Sequence, residues 1–441
     1  MGYKNDWRYI EQSINVLKNK YNFKGLYHFT DFSNLKNIFE TGYLFSRNDC
    51  YRNSINFADG ANHEVLEKDV NDVHEKVRFY YRAKTPTLYD NEGVKLEQYC
   101  NEVHIPMPVY LLFDEELIYL DNTEFSNGNA TTSSIGNTST FFNTMDWNAI
   151  FHSTWFYPEE RNYIVNKRHA ELLSYKPVPI KKYLKKIIFR CEADKKRAIN
   201  VYGHNSLYEV DINLFSDKNT YEARRDWQKN NFIKNYSIDY TFDEFGDKKE
   251  LIVKIEFQKP CTDYKARFNL QSIDVKDNSY KTIKIYDEVE KYYIDEFGEI
   301  KNNRENCKIV VLKLKGNIEK ADKFESYIND YLYIEEYLNK DKIIDYEVQI
   351  KTIDKVENFI LNTQFANLEI LRHNHRCQIL DVNDKVLYEC RLNFGESSNV
   401  LNWVVKFDKY NKIWYKIKYY IDDVMYICDL VHSNNMIHAT E

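Results

Sequence analysis

One acidic residue stands inside an otherwise apolar segment, and it is the first candidate for chemistry. Glu171 lies in Ala170-Glu171-Leu172-Leu173. In a strand, successive side chains alternate, so Glu171 would face away from Ala170 and Leu172. A carboxylate held in apolar surroundings costs free energy unless it is paired or has a function. The pattern fits both an ordinary edge-strand glutamate and a catalytic acid.

A histidine and a hydroxyl form a second candidate site. In Tyr27-His28-Phe29-Thr30, strand alternation places His28 and Thr30 on one face, two residues apart. A neutral imidazole beside a hydroxyl can hold the diol of a ribose. A hydrogen-bonded histidine with only a structural role is the alternative.

Two basic segments could contact phosphates. The first, residues 77–89, interleaves Arg and Lys with Phe and Tyr, as in a groove that stacks bases, although a half-buried strand with a wet basic side fits equally. The second, from Lys176 to Arg197, carries nine basic residues against Glu192 and Asp194. It predicts a phosphate-tracking surface or, as the alternative, a solvated face.

Metal chemistry has weak support. His373, His375 and Cys377 would share one face of a strand, but no fourth ligand is evident, so we expect no metal site. P-loop, GxGxxG, HExxH and GxSxG patterns are absent from the sequence.

The elements that must position these residues follow from periodicity and capping. A helix is predicted within residues 1–20, where Trp7, Ile10, Ile14 and Leu17 have helical spacing, and then a strand over 25–30. A second helix follows, capped by Asp31 or Ser33 and ended by Gly42. Further predictions are strands at Val77–Tyr81 and Val109–Phe113, helices near Glu64–Val70 and 147–155, and a long polar loop over 122–140.

The second half has a different texture. Short runs rich in Ile, Val and Tyr predict strands at Glu250–Phe257, Lys281–Tyr286, Cys307–Lys315 and Trp403–Phe407. One helix is predicted around Glu319–Lys340. The sequence therefore predicts a β-rich α+β region after the first domain.

Bulk composition limits the class of protein. The 441 residues, 43% of them hydrophobic, predict two or three domains with packed cores. A net charge of −7 excludes nucleic-acid binding through overall charge, so any such role needs a local patch. Eight scattered cysteines predict reduced thiols and a cytoplasmic protein. No run of 18 apolar residues occurs, so we expect no membrane association.

Taken in order, these clusters resemble the DarT family of DNA ADP-ribosyltransferases. The similar segments are LYHFTDFSNLKNIFETGYLFSRN, VHEKVRFYYRAKTPTLY, DWNAIFHSTWF and KRHAELLSYKPVPI, which lie between about residues 24 and 200. The resemblance implies an α+β fold in which two packed antiparallel sheets with helices surround an NAD cleft. It implies a DarT-like domain at 1–205 and leaves a β-rich accessory region at 206–441. That region could be an autoinhibitory cover, a phage-component sensor, a DNA-guiding surface or an antitoxin dock.

The resemblance also implies an activity and its residues. ADP-ribose would pass from NAD to a base of single-stranded DNA, with release of nicotinamide and without a metal. Glu171 would be the catalytic glutamate, whose carboxylate stabilises positive charge on the ribose, and Trp155 and Tyr80 could stack bases. The implied NAD-binding residues are His28, Phe29, Thr30, Asn37 and Phe45. The implied DNA-binding residues are Ala83, Lys84, Thr85, Pro86, Thr87, Leu88, Ser153, Thr154, Trp155, Phe156, Lys167 and Arg168.

One departure from the family pattern bears on the target base. Thymidine-modifying members carry an arginine in the helix after the first loop, where this chain offers Lys68, with Arg47 or Arg78 as substitutes. The segments FADGANHEVLEK and FSNGNA look more like the guanine-modifying branch, so guanine is favoured over thymine. The resemblance further implies a toxin of a toxin–antitoxin or phage-defence system, opposed by a macrodomain antitoxin. An ADP-ribosyltransferase acting on RNA or protein, and a non-catalytic nucleic-acid binding module, are the alternatives.

Overall fold

The computed structural model describes most of the chain. The described residues are 2–60, 71–94, 104–215, 231–244, 248–260, 266–274, 279–282, 286–304, 306–316, 318, 321, 323–338, 343–353, 356–365, 374–381, 384–392, 402–407, 416–421 and 424–430.

The described α-helices all lie in the first half of the chain. They are α1 Trp7–Tyr21, α2 Leu35–Thr41, α3 Arg47–Arg52, α4 Pro86–Asn91, α5 Glu116–Tyr119, α6 Ser139–Thr144, α7 Trp147–Ile150, α8 Arg161–Lys167, α9 Ile180–Tyr183 and α10 Glu192–Tyr202. Predicted helix 1 is confirmed, with Ile10, Ile14 and Leu17 buried on one side of α1. The predicted stop at Gly42 is also confirmed, since its φ of 74° is the left-handed conformation that ends α2.

One mixed sheet organises the first half. Its strands are β1 Leu26–Asp31, β3 Val77–Tyr80, β4 Pro108–Phe113, β5 Thr123–Asn129, β6 Ile135–Gly136, β7 Ala170–Ser174, β9 Leu184–Phe189 and β10 Tyr208–Val210. Their order is β10-β9-β4-β1-β3-β7-β5-β6, and only the β10–β9 pair in it is parallel. A small sheet joins β2 Tyr43–Leu44 to β8 Val178–Pro179.

The second half consists of antiparallel strands. They are β11 Ile233–Phe242, β12 Lys248–Phe257, β13 Ala266–Asp274, β14 Ser279–Thr282, β15 Tyr286–Ile294, β16 Ile300–Lys301, β17 Ile309–Gly316, β18 Lys323–Ile328, β19 Tyr331–Tyr337, β20 Ile343–Ile353, β21 Val356–Phe365, β22 His375–Leu380, β23 Val386–Leu392, β24 Asn402–Phe407, β25 Lys416–Ile421 and β26 Val424–Leu430. They form sheets of five, four, three and four strands.

The halves share one apolar core. A single cluster of buried side chains contains Leu26 and Phe79 from the first sheet, Ala198 from α10, and Leu251 and Ile334 from the second half. Helix α10 packs against β11, β19 and β26. The second half is therefore built onto the first through α10.

Several sequence expectations need correction. The helix expected at Glu319–Lys340 is wrong, because β18 and β19 form a hairpin there. Asn329 and Asp330 turn the chain at φ values of 50° and 63°, which suits a tight hairpin turn. The polar loop expected at 122–140 is also wrong in part, since β5 pairs with β7 and buries Phe125.

The remaining differences concern packing and boundaries. Two packed antiparallel sheets were expected, whereas hydrogen bonding joins the described strands of the first half into one eight-stranded sheet and one two-stranded sheet. The helix expected near 147–155 ends at Ile150. Strand β10 extends the first sheet beyond residue 205, while the predicted boundary at 205/206 stays a prediction. The helix expected at Glu64–Val70 lies outside the described residues.

Candidate active site

A cleft opens where two neighbouring strands separate. Strand β1 pairs with β4 along its whole length, but its described residues pair with β3 at Tyr27 and Tyr80 alone. Beyond this pair the strands diverge and leave a cavity of about 560 Å³. This volume lies within the range of small-molecule sites. Its walls come from β1, α2, α3, β3 and α4, and they include His28, Phe29, Thr30 and Arg78.

Arg78 connects the two candidate sites of the sequence. Its backbone carbonyl lies 2.9 Å from Nδ1 of His28. Its guanidinium donates two hydrogen bonds to Glu171, from Nε at 3.0 Å and from Nη2 at 2.6 Å. Glu171 is fully buried, and a fork of two parallel bonds fixes the plane of its carboxylate. One residue of β3, which itself lines the cleft, thus bonds both to His28 of the cleft wall and to the buried Glu171 of β7, which is not among the residues that line the cavity.

The imidazole of His28 is neutral at physiological pH. Burial lowers its pKa from 6.5 to about 4, and the nearby Arg78 charge acts in the same direction. Since Nδ1 faces a carbonyl oxygen, Nδ1 carries the proton and Nε2 is an acceptor. A neutral acceptor of this kind can take a hydrogen bond from a sugar hydroxyl.

A network of side-chain bonds shapes the turn after β1. Asn34 donates to Thr30 Oγ1 at 2.9 Å and exchanges two bonds with the backbone of Ala58. Asp31 accepts from the backbone nitrogen of Ser33 at 2.9 Å. Because Thr30, Asp31 and Asn34 all line the cleft, this turn forms part of its wall.

The other expected NAD-binding residues also lie at the cleft. Phe29 stacks on Tyr80, with ring centroids 5.5 Å apart and planes 10° apart. Asn37 and Phe45 line the same cavity. Asn37 donates to the carbonyl of Asn56, which ties α2 to the loop opposite. The structure therefore brings His28, Phe29, Thr30, Asn37 and Phe45 together.

The three candidates for the position of the family's arginine are Lys68, Arg47 and Arg78. Lys68 lies outside the described residues. Arg47 lines the cleft and forms a bond of 2.8 Å to Asp59. Arg78 is paired with Glu171. Both substitutes for the family's arginine are thus held by carboxylates in this structure.

The expected DNA-binding residues fall into two surfaces. The first, residues 83–88, leads into α4. Thr85 is fully buried and caps this helix through the backbone nitrogen of Leu88, which is also buried. Lys84 is exposed, while Ala83, Pro86 and Thr87 are half-buried. Thr85 and Leu88 therefore support the surface, and Lys84 is its most accessible member.

The second surface is an exposed aromatic loop, residues 152–157. Arg82 and Arg168 both donate to the carbonyl of His152, at 2.7 and 3.0 Å. The guanidinium of Arg168 lies 5.1 Å from the centre of the Phe156 ring. Trp155 is 70% exposed, although the loop base is fixed by two arginines. Ser153 and Thr154 are exposed, and Lys167 donates to the carbonyl of Asn127.

Part of the basic run from Lys176 to Arg197 is buried in ion pairs, while Lys176, Lys182, Lys185 and Lys186 are exposed. Arg190 and Asp194 are buried and paired at 3.4 Å. Arg197 pairs with Glu335 at 3.2 Å, and Lys196 pairs with Glu336 at 3.0 Å. Lys196 and Arg197 of this run therefore neutralise acidic residues of the second half, and the phosphate-tracking surface stays a prediction.

The weak metal candidate has a structural explanation. His375 is buried and its Nδ1 lies 2.9 Å from the hydroxyl of Tyr419. Cys377 is buried as well, and His373 lies outside the described residues. Over the described part of the chain, no group of three or more His, Cys, Asp or Glu side chains could hold a metal ion.

Sequence reasoning missed how Arg78 works. It named Arg78 only as a substitute for a lost arginine, whereas the guanidinium holds the catalytic candidate. A signal was present, since Arg78 is a lone cation on an aromatic strand and Glu171 a lone anion on an apolar strand. Two opposite charges in such surroundings are expected to pair.

The sequence that forms the cleft is similar to a known protein family. A family model described as "DarT: ssDNA thymidine ADP-ribosyltransferase, DarT" matches residues 27–216. Residues 27–216 are therefore similar to DarT-type ADP-ribosyltransferase domains. Domains of this type take NAD as the donor of ADP-ribose. The matched range contains the cleft, Arg78 and Glu171.

Comparison with solved structures found a weaker similarity. A solved structure, "Thermosipho africanus DarTG in complex with ADP-ribose", is similar at 17% identity over 44% of this chain and 51% of that chain. The match thus spans about half the length of that chain, and its TM-score of 0.36 is too low to establish a shared fold. Comparison with curated proteins gave no match. Among the described helices, none is long and apolar enough to cross a membrane.

Proposed function

We propose that this chain transfers ADP-ribose from NAD to a base of single-stranded DNA and releases nicotinamide. The observation that carries the proposal is the bond of the buried Glu171 carboxylate to Arg78, which lines a cleft that also holds a neutral histidine. The match of residues 27–216 to a family of single-stranded DNA ADP-ribosyltransferases supports the same activity.

The roles of the residues follow from the chemistry. The bond between nicotinamide and C1′ of the ribose breaks, and its electron pair leaves with nicotinamide. Positive charge grows on the ribose, as in other glycoside cleavages. Glu171 stabilises this charge and can accept a bond from the 2′-hydroxyl. A base nitrogen then donates its electron pair to C1′, and the proton that this nitrogen loses passes to solvent.

His28 and its neighbours would bind NAD itself. The neutral Nε2 of His28 accepts from a ribose hydroxyl, and Thr30 supports the same sugar. Phe29, Asn37 and Phe45 complete the wall, and the cavity of about 560 Å³ suits a folded dinucleotide. Lys68 stays a candidate for contact with the acceptor base.

Single-stranded DNA would reach the cleft past the exposed aromatic loop. Trp155 offers a stacking surface, and Lys84, Lys167 and Arg168 lie on elements next to the cleft. An unpaired base avoids the unstacking cost of a few kcal/mol that a duplex imposes. Single strands are therefore the expected substrate in this proposal.

We favour guanine as the target base, on the sequence pattern around Lys68 and in FSNGNA. The family description names thymidine instead, and both nearby arginines are already paired with carboxylates. The test uses single-stranded oligonucleotides that contain guanine or thymine as the one reactive base, incubated with NAD. Mass spectrometry of the digested nucleosides should give ADP-ribosyl-guanosine; a product on thymidine alone would overturn this choice.

A modified genome would harm the host cell, so we infer a toxin role in a toxin–antitoxin or phage-defence system. A macrodomain antitoxin that removes ADP-ribose is the expected partner. Controlled expression in bacteria should stop growth, and a co-expressed ADP-ribosyl-guanine hydrolase should restore it. Equal growth with and without induction of an active, folded protein would contradict the toxin role.

The substrate class is tested in the same assay. DNA, RNA and cell lysate are incubated side by side with labelled NAD. Label on single-stranded DNA supports the proposal, and label on RNA or protein alone points to the other transferase activity. NAD binding without transfer to any of the three would refute an active enzyme.

A further inference from the structure

The two halves of the chain meet directly behind the NAD-binding strand. Tyr331, the first residue of β19, donates a hydrogen bond of 2.7 Å to Oδ1 of Asp31, the last residue of β1. The residues are 300 positions apart in the sequence. Asp31 lines the cleft, and Thr30 precedes it.

Asp31 is the anchor of the turn that forms one wall of the cleft. The same Oδ1 accepts from the backbone nitrogen and the hydroxyl of Ser33, at 2.9 and 2.6 Å. Asn34 follows in the same turn, and its amide nitrogen donates hydrogen bonds to Thr30 Oγ1 and to the carbonyl of Ala58. A shift of the Asp31 carboxylate would therefore move groups on both sides of the cleft.

An arginine of α10 stabilises the same junction. The guanidinium of Arg197 lies 4.3 Å from the Phe32 ring centre and 5.8 Å from that of Tyr331. It also bonds to Glu335 at 3.2 Å and to the carbonyl of Leu332. Tyr331 is thus held between a cation and an anion, and its hydroxyl has a fixed direction.

We propose that Tyr331 is a positioning residue for the NAD site, through which the second half of the chain holds the turn 31–34 in its binding geometry. This rests on the proposed NAD-dependent function. It assigns residues 206–441 a part in building the donor site, in contrast to a cover that only blocks it. Tyr331 acts through Asp31 and has no contact with the substrate in this assignment.

The test compares two equal changes in the same strand of the full-length protein. Tyr331→Phe removes the hydroxyl that contacts Asp31. Tyr333→Phe, the control, removes a hydroxyl that bonds to the carbonyl of Pro106 at 3.2 Å in the same interface. NAD affinity is measured by titration calorimetry, and KM and kcat are measured with a single-stranded oligonucleotide.

We expect Tyr331→Phe to raise the Kd and KM for NAD about fivefold or more, since hydrogen bonds to charged groups are among the stronger ones. Its kcat at saturating NAD should stay within about twofold of wild type, because Glu171 and Arg78 are untouched. Tyr333→Phe should leave the Kd unchanged. In an Asp31→Asn background, Tyr331→Phe should add little further loss, because the two act through one bond.

Each other outcome has a clear meaning. Equal NAD affinity of Tyr331→Phe and wild type overturns the positioning role, and equal losses in both tyrosine variants overturn it as well, since they indicate general loosening. Binding of NAD by wild type without transfer to DNA overturns the proposed function and leaves the role of Tyr331 standing. Failure of wild type to bind NAD overturns both.

Discussion

Replacement of Glu171 by glutamine removes one charge and keeps the shape of the side chain. Glu171 is fully buried, and its oxygens lie 3.0 and 2.6 Å from two nitrogens of Arg78. At about 4 Å and an effective dielectric constant near 20, a carboxylate stabilises a unit positive charge by about 4 kcal/mol. The positive charge of Arg78 reduces this stabilisation, because its guanidinium is bonded to the same carboxylate.

We therefore expect Glu171→Gln to lower kcat by about 10²- to 10³-fold, which corresponds to about 3–4 kcal/mol of transition-state stabilisation. NAD affinity should change little, since the ribose carries no full charge before the bond breaks. The glutamine amide can accept from Arg78 with one oxygen only, so the free energy of unfolding should fall by about 1–3 kcal/mol.

The assay follows transfer of labelled ADP-ribose to a single-stranded oligonucleotide in single-turnover conditions. Glu115→Gln is the matched control, because Glu115 pairs with Lys18 and Lys185, whereas Glu171 pairs with Arg78 of the cleft wall. It should keep the wild-type rate. A folded Glu171→Gln protein with a wild-type rate would refute the role of this carboxylate.

Three further predictions concern Arg78, His28 and the exposed aromatic loop. Arg78→Lys should lower kcat about tenfold in the transfer assay, because lysine cannot hold both oxygens in a fork, and an unchanged kcat would show that orientation is unimportant. Because burial puts the folded-state pKa of His28 at about 4, below the unfolded value of 6.5, its contribution to stability is complete above pH 6.5 and is lost as pH falls towards 4. Urea unfolding at pH 7 and pH 5 should show a smaller loss for His28→Asn than for wild type, and equal losses would contradict the neutral buried imidazole. Trp155→Leu should weaken oligonucleotide binding by about 5- to 150-fold at unchanged NAD affinity, measured by fluorescence anisotropy, and an unchanged affinity would exclude stacking on this ring.

Local signals predicted much of the first half. The spacing of Ile10, Ile14 and Leu17 predicted α1, and Gly42 marked the end of α2. These features depend on residues close together in the chain, so the sequence contains the whole cause. The position of Glu171 on an apolar strand was predicted for the same reason.

Long-range partners were the part that sequence could not supply. The helix expected at Glu319–Lys340 had a plausible periodicity, but the turn at Asn329 and Asp330 and pairing along β18 and β19 decided for a hairpin. At the end of the basic run, Lys196 and Arg197 pair with Glu336 and Glu335, which lie more than 130 residues further along the chain, so the sequence alone did not predict these pairs. The bond from Arg78 to Glu171 likewise joins strands that lie 93 positions apart.

The apolar core common to both halves has a practical consequence for anyone who wishes to shorten this enzyme. Leu251, Ile255 and Ile334 are buried in the same cluster as Leu26 and Phe79. Truncation near residue 205 would expose one side of that apolar cluster to solvent. We expect the fragment to aggregate, and so to be unsuitable as a shortened enzyme. Heat should likewise unfold the first sheet together with those strands between β11 and β19 that contribute to this cluster, in a single calorimetric peak.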